Sequence, residues 1–265
     1  MKTSGLTAAN GAGIWIVLPA FNEAAALPRL LGAMERVAGA PFWRVVVVDD
    51  GSTDGTAAVA RAHAGRLALT VLEHGANRGL AAAVRTGLGR ACAQAPADAV
   101  VITMDADDTH DPAQIPRMVE AIRAGADVVI ASRYRRGARQ AGVPLHRVLL
   151  SAAAGWVLRV RFGLPGVRDY SCGFRAYRAG LLQRAHAAYG SRLVESRGFV
   201  VMTELLIKLV PLHPRVVEVP LELRYDRKVG PSKMPAAQTI VGYLRLVASR
   251  PSGPPPARSA AHTPK

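Results

Sequence analysis

The stretch VITMDADDTHDP, Val101 to Pro112, decides how this chain reads. Val100 to Thr103 is an apolar, mostly β-branched run with the length of a buried strand. It breaks off into Asp105, Asp107, Asp108 and Asp111, and Pro112 punctuates the loop. Carboxylates crowded this closely raise one another's pKa unless a cation holds them. Asp105 and Asp107 stand two apart where the chain leaves its pleat, so both can turn toward one point. Oxygen ligands of that kind suit a hard divalent ion, Mg2+ or Mn2+, that keeps several waters and bridges to phosphates. The alternative is an acidic turn that caps the next helix, with Asp111 as N-cap and Pro112 in the first helical position. Asp111 is expected to do just that, while Asp105 and Asp107 are read as metal ligands.

Upstream, Ile14 to Leu18 reads as a strand followed by PAFNE, and Leu27, Leu30, Leu31 and Met34 keep helical spacing as far as Gly39. Arg44 to Val48 is a second strand, whose valine run implies burial on both faces. It ends in DDGSTDGT, where Gly51 and Gly55 permit a tight turn and Asp54 can cap a helix from Thr56 to Ala64. Leu67 to Leu72 is a third strand, and GANRGLAAAVRTGLGRA opens a helix with Asn77, Gly79 and a small-residue face. Downstream come a helix from Pro112 to Ala124 and a strand from Asp127 to Ala131 that ends in SRYRRG. This alternation predicts an α/β fold, a Rossmann-like and mainly parallel sheet with helices on both faces. Such sheets bind ligands beyond the carboxyl ends of their strands. Glu23, Asp49, Asp50, Asp105, Asp107 and Arg133 each follow a strand, and that convergence strengthens the metal reading.

At 265 residues, 50% hydrophobic and 20% charged, the chain is globular with a full core: one large domain, or a domain with an appended lobe. Cys92 and Cys172 form no metal or redox spacing and point to a reducing compartment. The N-terminus has Lys2 but no extended apolar region or cleavage site, and no run approaches the ~20 apolar residues of a spanning helix. A cytoplasmic protein is expected. The net charge of +15 fits nucleic acid, an anionic membrane surface or phosphate-bearing substrates. With 5% aromatics, and basic patches not interleaved with stacking residues, no nucleic acid partner is expected. Part of the excess is ordinary solvated arginine on helix faces.

PAFNE, VVDDGSTDGT, NRGLAAAVRTG, MDADDTHDP and ASRYRRG, in this order and spacing, resemble the inverting nucleotide-sugar glycosyltransferases of family 2, which have a GT-A fold. RDYSCGFRAYR (Arg168 to Arg178), the ELLIKL helix with VVEVPLELRYDR (Glu204 to Arg227) and GPSKM (Gly230 to Met234) narrow the resemblance to dolichol-phosphate or polyprenol-phosphate mannose synthases. It covers roughly residues 13 to 235. The resemblance implies a GT-A domain there, with a nucleotide-sugar half (13–140) and an acceptor half (141–235). Pro19, Phe21 and Glu23 would line the nucleoside pocket, with Asp49 and Gly79 beside it, and Asp50 would contact the base. Phe21 departs from the usual tyrosine. Asp105 and Asp107 would hold the metal on the diphosphate of a nucleotide sugar, GDP-mannose being favoured. A glutamine that often adds a ligand is replaced by Thr109; His110, beside it, is read as a turn or capping residue rather than a ligand.

Arg133, Arg147, Arg175, Arg227, Ser232 and Lys233 are the candidate phosphate and acceptor contacts, since guanidinium forks and lysine ammonium groups suit phosphate oxygens. The loop from Asp226 to Lys233 could close over the donor like a lid. A phosphate acceptor is already a nucleophile at neutral pH and obliges no general base, whereas a hydroxyl acceptor needs one. In that second case Asp169 and Glu204 are the candidate bases; otherwise they are structural or positioning groups. The catalytic set is thus Asp107, Arg133, Asp169 and Glu204.

Leu145 to Phe162 is predicted as a helix whose apolar core is flanked by His146, Arg147, Arg159 and Arg161, with Trp156 inside it. It is too short to span but suits lying in a membrane interface; a buried core helix fits the same pattern. A second amphipathic helix, residues 236–249, puts Ile240, Tyr243, Leu244 and Val247 on one face. Residues 1–12 and the Pro-rich 250–265 are expected to be mobile or disordered tails. The form is compact and spanless, peripheral at the cytoplasmic face of a membrane or resting on a small membrane partner subunit. The leading reading is sugar transfer from a nucleotide diphosphate sugar to polyprenyl phosphate. One alternative keeps the fold but uses a hydroxyl acceptor; another is a basic membrane- or nucleic-acid-binding protein with an inactive transferase core.

Overall fold

The computed structural model describes residues 13–38, 43–64, 67–230 and 236–249. The two expected tails, and Ser232 and Lys233 with the end of the expected lid, lie outside the described residues.

Four parallel strands form one half of a sheet: β1 (Ile14–Ala20), β2 (Trp43–Asp49), β3 (Ala68–Glu73) and β4 (Val100–Thr103), in the spatial order β3-β2-β1-β4. The valine run does what its composition dictates: Val45, Val46, Val47 and Val48 are all buried, so both faces of β2 are covered. Helix α1 (Leu27–Ala38) buries Leu27, Leu30, Leu31 and Met34, the residues that marked it in the sequence. Helix α2 (Thr56–Ala62) comes after β2. Helix α3 (Leu80–Gln94) needs its small-residue face, because a Cβ on Gly87 would stand 2.3 Å from Val17 Cγ1. Any larger residue there would push the helix off the sheet.

After the acidic loop, Asp111 caps a 3-10 turn, Pro112–Gln114, by accepting from the Ala113 amide at 2.9 Å. Helix α4 (Ile115–Arg123) and strand β5 (Val128–Ser132) complete the repeating part of the chain. Beyond β5 the chain departs from simple alternation. Strand β6 (Arg139–Ala141) leads into helix α5 (Leu145–Phe162), and strand β7 (Arg175–Arg178) then inserts antiparallel between β4 and β5. Helices α6 (Ala179–Tyr189) and α7 (Val201–Leu209) precede β8 (Val216–Pro220), which extends the sheet parallel to β5. The seven strands therefore run β3-β2-β1-β4-β7-β5-β8, mainly parallel as expected. Strand β9 (Glu222–Arg224) pairs with β6 as a separate ribbon, and helix α8 (Ala236–Ala248) ends the described chain. Both cysteines are free; burial pushes the Cys92 thiol up to about 11 and the Cys172 thiol up to about 12.

Helix α5 settles one ambiguity. Leu145, Leu149, Trp156 and Val160 lie at four- and seven-residue steps along it, and each is more than half exposed. It is a surface helix with an apolar outer stripe, not a core helix. Helix α8 lies against it, with the Arg161 Nε donating to the Val247 carbonyl at 2.9 Å, and adds exposed Ile240 and Leu244. Tyr243 and Val247, expected on one face with those two, instead pack toward the core. Among the described residues, no helix is long and apolar enough to cross a membrane.

Candidate active site

The loops after β1, β2 and β4 gather at the carboxyl edge of the sheet. The first two are stitched to each other. The Asn22 amide donates to Ser52 Oγ (2.9 Å), the Thr53 amide to Asn22 Oδ1 (2.9 Å), and the Glu23 amide to Thr56 Oγ1 (2.8 Å). Asp54 accepts from the Ala24 amide on one oxygen and from Thr56 on the other, which holds its carboxyl below the usual range against the effect of burial. PAFNE and DDGSTDGT thus form one rigid wall, with Pro19, Phe21 and Glu23 along it.

Asp49 and Asp50 face inward. Asp49 accepts from the Ser52 amide at 3.0 Å and closes the turn. Asp50 is almost wholly buried and gathers three partners: the Arg78 amide (3.0 Å), the Gly79 amide (2.7 Å) and the His74 Nδ1 (2.6 Å). It fastens the loop ahead of α3 to the end of β2. Gly51 allows the same approach, at φ +73 with a hypothetical Cβ only 2.4 Å from the Ala76 carbonyl carbon. Gly51→Ala is expected to prise these loops apart, costing about 1–3 kcal/mol of stability. Thermal denaturation of parent and variant checks that expectation.

The acidic loop is held from two sides. The Arg224 amide of β9 donates to the Thr109 carbonyl at 2.9 Å, and the His110 ring stacks on Phe174 at 5.1 Å between centroids. His110 Nδ1 lies 3.4 Å from the Asp105 amide, consistent with a turn-holding role. Asp107 Oδ1 accepts from the Thr109 amide and hydroxyl (3.2 and 2.7 Å), while its Oδ2 binds the Lys228 ammonium. Burial would raise Asp107, but Lys228 and Thr109 hold it below the usual carboxylate range. Asp105 keeps 47% of its side chain exposed, yet sits low enough that desolvation, reinforced by Asp107, pushes its carboxyl up against the pull of His110 and Lys228. One ammonium does not balance two carboxylates. A half-open carboxylate beside a second one, with room for phosphate oxygens and water to complete the shell, is a donor set that Mg2+ or Mn2+ accepts.

Arg133, just past β5, is fixed by a fork: its Nε and Nη2 donate to the two oxygens of Asp169 at 2.8 and 2.7 Å, and Nη2 also to Ser171 Oγ at 2.6 Å. Asp169 has no exposed surface, and Arg133 holds its carboxyl well below the usual range despite that burial.

Residues 15–185 match the family model of glycosyl transferase family 2. The chain belongs to that family. It is 33% identical over 225 residues to the polyprenol monophosphomannose synthase of Mycolicibacterium smegmatis, covering 83% of this chain and 80% of that protein. It is 35% identical over 223 residues to the undecaprenyl-phosphate mannosyltransferase of Micrococcus luteus, covering 82% and 86% respectively. Among solved structures, the glucosyl-3-phosphoglycerate synthase of Mycobacterium tuberculosis, in complex with Mn2+, UDP and phosphoglyceric acid, superposes with a TM-score of 0.63 at 21% identity, over 90% of this chain and 77% of that one. The fold of this family 2 chain is therefore GT-A-like, as its motifs imply.

Several residues take roles other than the expected ones. Arg175 is no phosphate contact: it has no exposed surface, and its guanidinium donates to the carbonyls of Met202 and Tyr170, both at 2.6 Å. Glu204 is no free base: it is buried, accepts from the Glu195 and Ser196 amides, and pairs with Lys208 at 2.8 Å. Asp169, as a base, would have to give up Arg133. Asp50 spends its carboxylate on this chain's own loop. Arg147 donates to the Tyr225 hydroxyl at 3.0 Å, and Arg227 lies 3.8 Å from Asp111 beside a cavity of about 780 Å³ between α1 and the 226–230 segment. Lys228 joins the site without having been a candidate. It stands in the same RYDRKVGPSK run as those that were, but only the pairing of β9 with the acidic loop shows that it, and not Arg227, lands on Asp107.

Proposed function

We propose that this chain transfers a mannosyl residue, with inversion, from GDP-mannose to a polyprenyl phosphate. An oxygen of the lipid phosphate bonds to the anomeric carbon as the bond from that carbon to the diphosphate oxygen breaks, and the nucleoside diphosphate leaves with the electron pair. A divalent ion on Asp105 and Asp107 would neutralise charge on that leaving group. The wall of Pro19, Phe21 and Glu23 holds the nucleoside, and Arg133, kept rigid by Asp169, offers its partly exposed guanidinium to phosphate.

The observation that carries this reading is the pair of carboxylates at the end of β4, Asp105 open and Asp107 held by Thr109, within electrostatic reach of Arg133. A second observation favours phosphate over hydroxyl as the acceptor. Asp169 and Glu204, the two carboxylates considered as bases, are both committed to partners of their own. A dianionic phosphate needs neither. The names of the two mannosyltransferase relatives support the same acceptor class.

The apolar stripe of α5 and α8, with Arg159 and Arg161 at its end, would rest the chain peripherally on the cytoplasmic leaflet beside the lipid's headgroup. A small membrane subunit is the other partner that such a face would take. Replacing Leu149 and Trp156 together by glutamate is expected to reduce co-sedimentation with anionic vesicles by about tenfold or more, with the melting temperature unmoved. Vesicle binding equal to that of the parent chain would remove the membrane from this reading. For the activity, the chain is incubated with polyprenyl phosphate in vesicles and a panel of labelled nucleotide sugars. Label from GDP-mannose should reach the lipid fraction only with Mg2+ or Mn2+ present. Label that stays in water across the panel overturns the lipid acceptor.

A further inference from the structure

We infer that Lys228 is the resident counter-ion of the metal seat and passes to the donor's diphosphate when metal and nucleotide arrive together. The inference rests on Asp105 and Asp107 being that seat.

Asp107 has two oxygens, and both are engaged. Oδ1 accepts from the amide and hydroxyl of Thr109, and Oδ2 holds the Lys228 ammonium. The pair is well shielded, with 11% of the Lys228 side chain and 14% of the Asp107 side chain exposed. The carboxylates of Glu23 and Asp105 pull on the same ammonium. Lys228 therefore supplies positive charge at the centre of this acidic cluster. A divalent ion approaching Asp107 meets an oxygen already taken by a cation, and the two positive charges repel at such range.

The lysine's backbone is anchored, and its tip is held by the ion pair with Asp107. β9 pairs with β6 and reaches the acidic loop through the Arg224 amide. The backbone of Asp226 packs so closely on Gly142 that a Cβ there would lie 2.7 Å from the Asp226 nitrogen. The Lys228 amide donates to the Tyr225 carbonyl at 3.2 Å. Past that anchor only the four-carbon stem must swing, and a compact ammonium on such a stem is an adaptable phosphate ligand. A nucleoside diphosphate brings the anionic oxygens that would receive it. Metal alone must displace the lysine while competing with it for Asp105, which leaves Glu23 as the carboxylate still drawing on the ammonium; metal with diphosphate offers a new partner. The chain should therefore bind Mn2+ weakly by itself and much better together with nucleotide, and Lys228 should be the source of that coupling.

The test measures free Mn2+ by electron paramagnetic resonance with the full chain, with and without GDP. Lys228→Met should tighten binding of Mn2+ alone by about tenfold and shrink the gain that GDP confers by about the same factor. Arg29→Met is the control, since Arg29 pairs with the neighbouring Asp108 at 3.2 Å and donates to the Arg227 carbonyl at 2.9 Å, so its loss removes a nearby positive charge and one hold on the segment while leaving Lys228 on Asp107. It should change Mn2+ binding less than about threefold in either arm. If Lys228→Met binds Mn2+ alone no more tightly than the parent, or Arg29→Met tightens it equally, the inference is wrong. Asp107→Asn separates that failure from a failure of the seat itself. Loss of Mn2+ binding in Asp107→Asn with a silent Lys228→Met sinks only the exchange. Undiminished binding in Asp107→Asn sinks the seat and the exchange with it.

Discussion

Asp107→Asn should lower the rate of sugar transfer on the order of 10³-fold or more while the protein stays folded. The substitution keeps the size of the side chain and an oxygen for the Thr109 hydroxyl, so the acidic loop retains its shape. What it removes is the charge that would hold a divalent ion against the diphosphate. The comparison that matters is between chemistry and folding. The ion pair with Lys228 is well shielded, so removing its carboxylate costs stability, offset in part by Glu23 and Asp105, which still attract the ammonium. Lys228 and Thr109 hold the Asp107 carboxyl below its usual range, so its stabilising effect is present above the unfolded value, about pH 4, and fades as the pH falls through the depressed one. Melting curves of parent and variant should accordingly differ at pH 7 and converge in acid. Transfer assayed with saturating Mn2+ and donor checks the first half, and calorimetry across pH checks the second. A variant that retains a tenth of the parent rate would mean that no essential ion sits on Asp107.

The placing of that acidic pair was legible because its physics is local. Four consecutive strand residues, then carboxylates at positions 105 and 107, put the acidic pair at a strand end whatever the rest of the chain does. The valine run of β2, the helical spacing of Leu27 to Met34 and the Asp111–Pro112 cap were readable for the same reason. The second half of the sheet was not. RAYR is four residues long and carries two arginines, and nothing in it announces an antiparallel strand lodged between β4 and β5. Arg175 is tolerated in that interior because the carbonyls of Tyr170 and Met202, 5 and 27 residues away, meet its guanidinium. Glu204 and Lys208 mislead in a related way: spaced as on an exposed helix face, they are buried because the amides of Glu195 and Ser196 fold back onto the carboxylate. Partners outside the local stretch decide each of these cases. Lys228 is the extreme one, lying 121 residues from the carboxylate it binds.

The Arg133–Asp169 fork is where long-range pairing and the proposed chemistry coincide, and its removal should have the other large effect. Arg133→Met leaves Asp169, which has no exposed surface, without the guanidinium that compensates it. Stripping one partner from a buried pair costs about 3–5 kcal/mol. The amides of Arg133 and Cys172 still donate to the carboxylate at 3.0 Å, so the loss should fall toward the lower end of that range. Transfer should fall at the same time by about 10²-fold or more, because the proposed phosphate ligand is gone. A single variant cannot separate the two effects. The double variant Arg133→Met, Asp169→Asn can: without the buried charge, much of the stability should return, while transfer stays low. Recovery of both would make Arg133 a structural brace rather than a phosphate ligand. The pH dependence supplies an independent sign. In the parent, Asp169 titrates below its usual range, so its contribution is lost only in strong acid. In Arg133→Met, burial acts on that carboxyl without the guanidinium to oppose it, and its pKa rises. The folded variant then takes up a proton more readily than the unfolded chain, so its stability deficit against the parent should shrink as the pH is lowered from 7 toward about 4. A deficit that holds constant across that range would show that the lost stability comes from packing around the arginine stem and not from the stranded charge.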